Sequence, residues 1–174
     1  MSKIFFLPVK HGDAFIIECN RGDVRGLIVV DGGPRSCGFK LQRELNNLGI
    51  PDLMVLTHYD EDHIGGILQL VDTCLDDHTI PAKEVWANCA GYVEVAANKY
   101  TTVTDGVWLS VKLNELAKRH EMVWRNDLHE GVKVDLPFAN IEVIAPTEEI
   151  MKMVIKKQEE TAKQPLNATS SDSK

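Results

Sequence analysis

Residues 53–66 read Leu53-Met54-Val55-Leu56-Thr57-His58-Tyr59-Asp60-Glu61-Asp62-His63-Ile64-Gly65-Gly66. The apolar run Leu53–Leu56 predicts a buried strand. Beyond the glycine pair, Ile64, Ile67, Leu68, Val71, Cys74 and Leu75 repeat at helical spacing, which predicts an amphipathic helix with that stripe in the core. The unit is therefore strand, loop, helix. Its loop carries four side chains of metal-binding type, His58, Asp60, Asp62 and His63, within six consecutive positions. Imidazole and carboxylate are ligands that zinc, manganese and iron accept. A metal bound in this way generates a hydroxide nucleophile near neutral pH. A solvated acidic loop is the plain alternative, but it needs neither a strongly apolar strand before it nor a glycine pair at a helix entrance. The segment thus points to a metal-dependent hydrolase, with His63 fixed near the helix N-terminus and glycines allowing close backbone approach.

Working outward, the first third of the chain alternates short apolar runs with turns. Ile4–Val9, Ala14–Cys19 and Gly26–Asp31 are strand candidates, and Asn20-Arg21-Gly22-Asp23 supplies hairpin turn chemistry between the last two. That turn also contains Arg21-Gly22-Asp23, an adhesion tripeptide, for which the turn itself is the better explanation. Leu41, Leu45 and Leu48 predict a helix stopped by Gly49, and Pro51 opens the strand that feeds the loop. After the central helix, residues 76–84 read as a surface connection and Val85–Asn88 as a strand. A helix is predicted from Gly106 to about Arg119, with Leu109, Leu113 and Leu116 inward. Strand candidates follow at Met122–Arg125, Val132–Leu136 and Ile141–Ile144. Thr147 is placed to N-cap a last helix running to about Ala162, with Glu148 and Glu149 in the first turn, where the helix dipole favours acids. Its Lys156-Lys157 and Glu159-Glu160 read as a solvated face. The domain is expected over residues 1–164, and the small polar residues 165–174 as a disordered tail. Alternating strands and helices with a hairpin at the start predict an α/β fold with a mixed sheet.

The loop resembles the H-x-H-x-D-H metal motif of the metallo-β-lactamase superfamily, with Asp60 in place of the second histidine. The aspartate form followed by Ile64-Gly65-Gly66 is similar to the hydrolase domain of DNA-uptake competence proteins. His11-Gly12-Asp13-Ala14 resembles the turn between the first two strands of that branch, and Val30-Asp31-Gly32-Gly33 the turn ending the third strand. Val85-Trp86-Ala87-Asn88 and Ile144-Ala145-Pro146-Thr147 add weaker agreement. The resemblance spans about residues 1–165 and implies the N-terminal half of an α-β-β-α sandwich. It also implies two divalent ions, zinc or manganese, one held by His58 and Asp60 and the other by Asp62 and His63. Asp62 would additionally orient the attacking hydroxide and hold its proton. Asp31, and with less weight Asp13, would support the loops beneath the ions. Asp60 in place of an imidazole hardens the first site, which suits manganese or magnesium better than zinc.

A paired-metal centre of this kind suits phosphodiester cleavage, in a small molecule or a nucleic acid. The fold equally hosts ester, thioester and lactam hydrolysis, or a catalytically incomplete sensor or interaction module. The resembled fold continues with a serine-bearing strand, a metal-bridging Gly-Asp and often a final histidine. None of these follows Thr147, so the expectation is an N-terminal piece that lacks its C-terminal half or is completed by a homodimer.

Composition bounds these readings. A length of 174 residues with 44% hydrophobic and 26% charged residues is that of an ordinary globular domain. A net charge of −7 weighs against broad electrostatic attraction to nucleic acid. Cys19, Cys37, Cys74 and Cys89 show no C-x-x-C spacing, and Cys19 and Cys74 read as buried thiols, which suits a reducing cytoplasm. The first residues have no apolar run of signal-peptide length, and no segment approaches membrane-spanning length. Asn167-Ala168-Thr169 matches a glycosylation pattern by chance on this reading. His78, His120 and His129 lie in polar segments without spaced partners and are expected at the surface; His11 could line the pocket but reads better as an exposed turn histidine.

Overall fold

The computed structural model of the chain describes residues 1–89, 102–120 and 122–163. Three strands come first: β1 (Lys3–Phe6), β2 (Phe15–Arg21) and β3 (Val24–Val30). A short 3₁₀ turn at Arg35–Cys37 leads into α1 (Gly38–Leu48), followed by β4 (Leu53–Val55) and α2 (Glu61–Asp76). Then come β5 (Glu84–Trp86), α3 (Thr102–Arg119), β6 (Val123–Arg125), the strands β7 (Lys133–Leu136) and β8 (Ala139–Glu142), and α4 (Glu148–Lys163). The expected tail at residues 165–174 lies outside the described residues.

Among the described residues, six strands form one sheet in the order β1-β2-β3-β4-β5-β6. The pairs β1–β2 and β2–β3 are antiparallel, whereas β3–β4, β4–β5 and β5–β6 are parallel. The fold is therefore mixed α/β, as the pattern of elements predicts. The hairpin turn falls at Gly22-Asp23, so Asn20 is not a turn residue; it pairs with Arg25 inside the ladder.

Side-chain alternation along the strands divides the interior in two. Ile16, Leu27, Val29, Met54, Leu56 and Val85 pack with Leu41 and Leu45 of α1, the α2 stripe, and Leu109, Leu113 and Leu116 of α3. Their neighbours Ile28, Leu53 and Trp86 point the other way, into a second cluster with Leu128 and Phe138. Phe138 occupies the β7–β8 turn, and its ring lies so close to Gly26 that a Cβ there would fall 2.1 Å from it. The half-sandwich reading expects one bare sheet face. Instead, the β7–β8 hairpin covers part of that face, with Val134, Leu136, Ala139 and Ile141 packed against the second cluster.

Element ends follow local chemistry. Gly49, at φ 104°, caps α1 by donating its N–H to the Leu45 carbonyl. Thr147 Oγ1 accepts the Ile150 N–H at 3.3 Å, so it caps α4 as expected. Cys74 is buried as expected, but Cys19 is only partly so. Among the described residues no helix is long and apolar enough to cross a membrane.

Candidate metal centre

The site lies at the carboxyl ends of the parallel strands, where α/β sheets place their ligands. β3 ends at Val30, paired with Val55 of β4. One residue on, the Asp31 N–H still donates to the Val55 carbonyl at 2.9 Å, so Asp31 sits beside Thr57 at the mouth of the next strand. The loop from Leu56 to Asp60 then delivers His58, and the first turn of α2 delivers Asp62 and His63.

Backbone contacts hold the three approaching loops together. Gly32 donates to the His63 carbonyl and Gly66 to the Gly33 carbonyl, both at 2.8 Å. A Cβ on Gly66 would fall 2.0 Å from the Gly32 carbonyl oxygen, so only glycine permits this approach. In the β1–β2 loop, Gly12 has φ 71° and lies against the Asp62 backbone, and the Asp13 carbonyl accepts the Gly33 N–H at 2.9 Å. Asp13 thus ties the loop through its main chain, while its side chain faces solvent.

Asp31 organises the centre. It is 1% exposed, and its φ of 55° lies in the left-handed region. Its Oδ1 accepts the Thr57 N–H at 2.8 Å, and its Oδ2 accepts the Thr57 hydroxyl at 2.5 Å. The same Oδ2 lies 2.9 Å from Nδ1 of His63. A carboxylate only accepts, so Nδ1 of His63 carries the proton. The Thr57 hydroxyl has one proton, which goes to Asp31, and its oxygen stands 3.0 Å from Nδ1 of His58. Nδ1 of His58 is therefore the donor there. In the neutral imidazoles both Nε2 atoms are left with their lone pairs, the state a metal ligand needs.

The surroundings suit a cation. The two imidazole rings lie 3.7 Å apart between centroids. Nε2 of His58 is 3.7 Å from Asp60 Oδ2, and Nε2 of His63 is 4.0 Å from Asp62 Oδ1. Asp31, His58 and His63 form a group whose ligand atoms all lie within 4.8 Å of one another. Imidazole and carboxylate suit zinc or manganese by type, but the Asp31 oxygens already accept from Thr57 and His63, and Asp60 and Asp62 lie outside this group. His63 is buried, whereas the His58 side chain is 46% exposed. Asp60 and Asp62 flank the group, with side chains 68% and 32% exposed. Asp60 is the N-cap residue of α2, and Glu61 and Asp62 occupy the first turn.

Of the sequence-predicted residues, Asp31, His58 and His63 are brought together; Asp60 and Asp62 flank them as sequence neighbours, and Asp13 contributes by its backbone. Three residues escaped the sequence reading. Thr57 relays Asp31 to His58, and its only signal is its place directly before the first histidine. Glu61 accepts the Arg35 N–H at 2.9 Å through Oε1, and its Oε2 lies 4.0 Å from His11 Nε2. Tyr59 donates its hydroxyl to the Asn88 carbonyl, and burial pushes its pKa well above the ordinary value, so it remains a donor. Beside it, burial also pushes the Cys89 thiol up to about 12. His11 and His78 are exposed and His129 is half-buried. His120 is not a plain surface residue, since its Nε2 is buried without a hydrogen-bond partner.

No protein-family model and no curated protein sequence matches the chain.

Proposed function

We propose that the chain is a metal-dependent hydrolase of metallo-β-lactamase type that cleaves phosphodiesters. The observation that carries this reading is the placement of the two imidazoles above Asp31 and Thr57. Nδ1 of His63 lies 2.9 Å from Asp31 and Nδ1 of His58 3.0 Å from Thr57, while the Nε2 atoms lie 4.0 Å from Asp62 and 3.7 Å from Asp60. The layer order, with α1, α2 and α3 on one sheet face and the β7–β8 hairpin on part of the other, also suits the N-terminal half of an α-β-β-α sandwich.

On this reading His58, Asp60, Asp62 and His63 hold one or two divalent ions, zinc or manganese. Such an ion supplies the positive charge that lowers the pKa of water and offsets charge developing on the phosphate. The protein's own residues do the rest. Asp31 fixes the His63 ring through Nδ1, and Thr57 fixes that of His58. Asp62, with one oxygen near His63 Nε2 and about a third of its side chain open to solvent, takes the proton from the attacking water. The water oxygen bonds to phosphorus, the bond from phosphorus to the leaving oxygen breaks, and that oxygen receives the proton. A second reading, hydrolysis of a carboxylic ester, thioester or lactam, is favoured by the largely apolar cleft beside His58.

Hydrolysis of bis(4-nitrophenyl) phosphate and of 4-nitrophenyl acetate, each with zinc or manganese, tests both readings. The expected result is metal-dependent phosphodiester cleavage that falls on the order of 100-fold in His58→Ala, since weakening even a ligand's support costs that much. Ester cleavage alone would favour the second reading. Cleavage unaffected by a chelator and by His58→Ala would contradict both.

A further inference from the structure

A cleft of about 520 Å³ opens directly beside His58. Val55 and Trp86 of the sheet, Leu128 and Val143, and Met151 and Val154 of α4 line it. Its volume lies within the range of small-molecule sites, which are mostly apolar with a few polar groups at one end. Here the polar end is the metal centre itself, because Thr57 and His58 belong to the same wall.

The polar side chains along the rest of the wall each have a partner within the protein. Tyr59 donates to the Asn88 carbonyl. The Asn88 side chain donates to the Leu128 carbonyl at 2.7 Å and accepts the Leu128 N–H at 2.9 Å. Trp86 Nε1 donates to Glu84 at 2.6 Å. A polar or charged group entering the cleft would lose its water without gaining these partners, which costs free energy. An apolar group loses nothing and gains contact with Leu128 and Met151, each 6% exposed. The outer surroundings also disfavour a polyanion: the chain carries a net charge of −7, and Asp60, Glu61 and Asp62 stand at the mouth of the loop.

We propose that this cleft binds an apolar substituent of the substrate, an aryl or short branched-alkyl group, while the bond to be cleaved lies over His58 and His63. The substrate is then a small aryl or alkyl ester of a phosphate or carboxylate, rather than a nucleic-acid strand. This assignment rests on the hydrolase reading for the word substrate, whereas the cleft's affinity for an apolar group is independent of any metal.

The experiment uses 4-ethylphenol, the apolar half of such an ester, titrated into the full chain with and without zinc. Binding is read from the NMR signals of the Trp86 indole and the Met151 methyl group. Two variants accompany it: Val154→Trp fills the cleft, and Ile150→Glu puts a charge at its rim on an already exposed position of α4, where the fold tolerates it. Both signals are expected to shift saturably whether or not zinc is present. The dissociation constant should rise at least tenfold in Ile150→Glu, and the shifts should vanish in Val154→Trp while the rest of the spectrum stays dispersed. Absence of saturable shifts, or shifts that survive both substitutions, would overturn the proposal. Zinc and manganese uptake by the same chain is a separate readout. Saturable shifts in a chain that takes up neither zinc nor manganese would retain the apolar site and refute the hydrolase reading.

Discussion

Asp31 holds a backbone conformation that costs a non-glycine residue on the order of 1–2 kcal/mol, and Asp and Asn tolerate it best. The return is a buried carboxylate that accepts from Thr57 twice and from His63 once. Asp31→Asn keeps the backbone preference but turns one acceptor oxygen into a donor, which faces Thr57 or His63 donor to donor. That substitution should destabilise the fold by about 1–3 kcal/mol, measured by chemical denaturation. It should also weaken zinc binding by about 10–100-fold, measured against a competing chelator; unchanged zinc affinity would remove Asp31 from the centre. The residue scale was only partly legible in the sequence. His58, Asp60, Asp62 and His63 announce themselves by type and spacing, and Asp31 by its Gly32-Gly33 turn. The role of Thr57 depends on β3 ending beside β4, a pairing 25 residues apart (Ile28 with Leu53) that no local pattern encodes.

The elements that position the site are those with the clearest periodicity. The stripe from Ile64 to Leu75 predicted a helix, and α2 occupies Glu61–Asp76 with that stripe buried except for its last residue. The β7–β8 hairpin was read less well: Ile141–Ile144 looked like the strand, but β8 is Ala139–Glu142 and Ile144 is 82% exposed. Its apolar residues are too few to set the register, and Pro137-Phe138 turns the chain earlier. Phe138 nonetheless anchors the hairpin, because it covers the backbone of Gly26 where no side chain competes. Phe138→Ala should cost about 3–5 kcal/mol and speed amide exchange in β7 and β8 more than in α2. A uniform change across the chain would show instead that the hairpin and the main sheet open as one unit.

For the whole molecule, the antiparallel edge is fastened by charge as well as by the ladder. Glu18 on β2 lies 3.0 Å from Arg25 of β3 and 3.6 Å from Lys3 of β1. The Arg25 hydrogen bond holds the Glu18 carboxyl below its ordinary value of 4.5, and Arg125 lowers Asp127 in the same way. Such depressed groups contribute stability that is fully present above the unfolded pKa and is lost as pH falls through the folded one. The thermal midpoint should therefore fall as the pH drops below about 4.5, and less steeply in Arg25→Met; identical slopes would show that this pair contributes nothing. Mixed α/β architecture was legible because hairpin turns and alternating strands and helices are local signals. The coverage of the second sheet face was not, since it arises from one phenylalanine meeting a distant glycine. The claim that joins all three scales is that this arrangement holds a metal. Elemental mass spectrometry of the purified chain, beside an Asp62→Ala/His63→Ala variant, tests it most directly. One to two zinc or manganese ions per chain are expected, nearly all of them lost in the variant, whereas a metal-free chain after dialysis against either ion would contradict a metal site here.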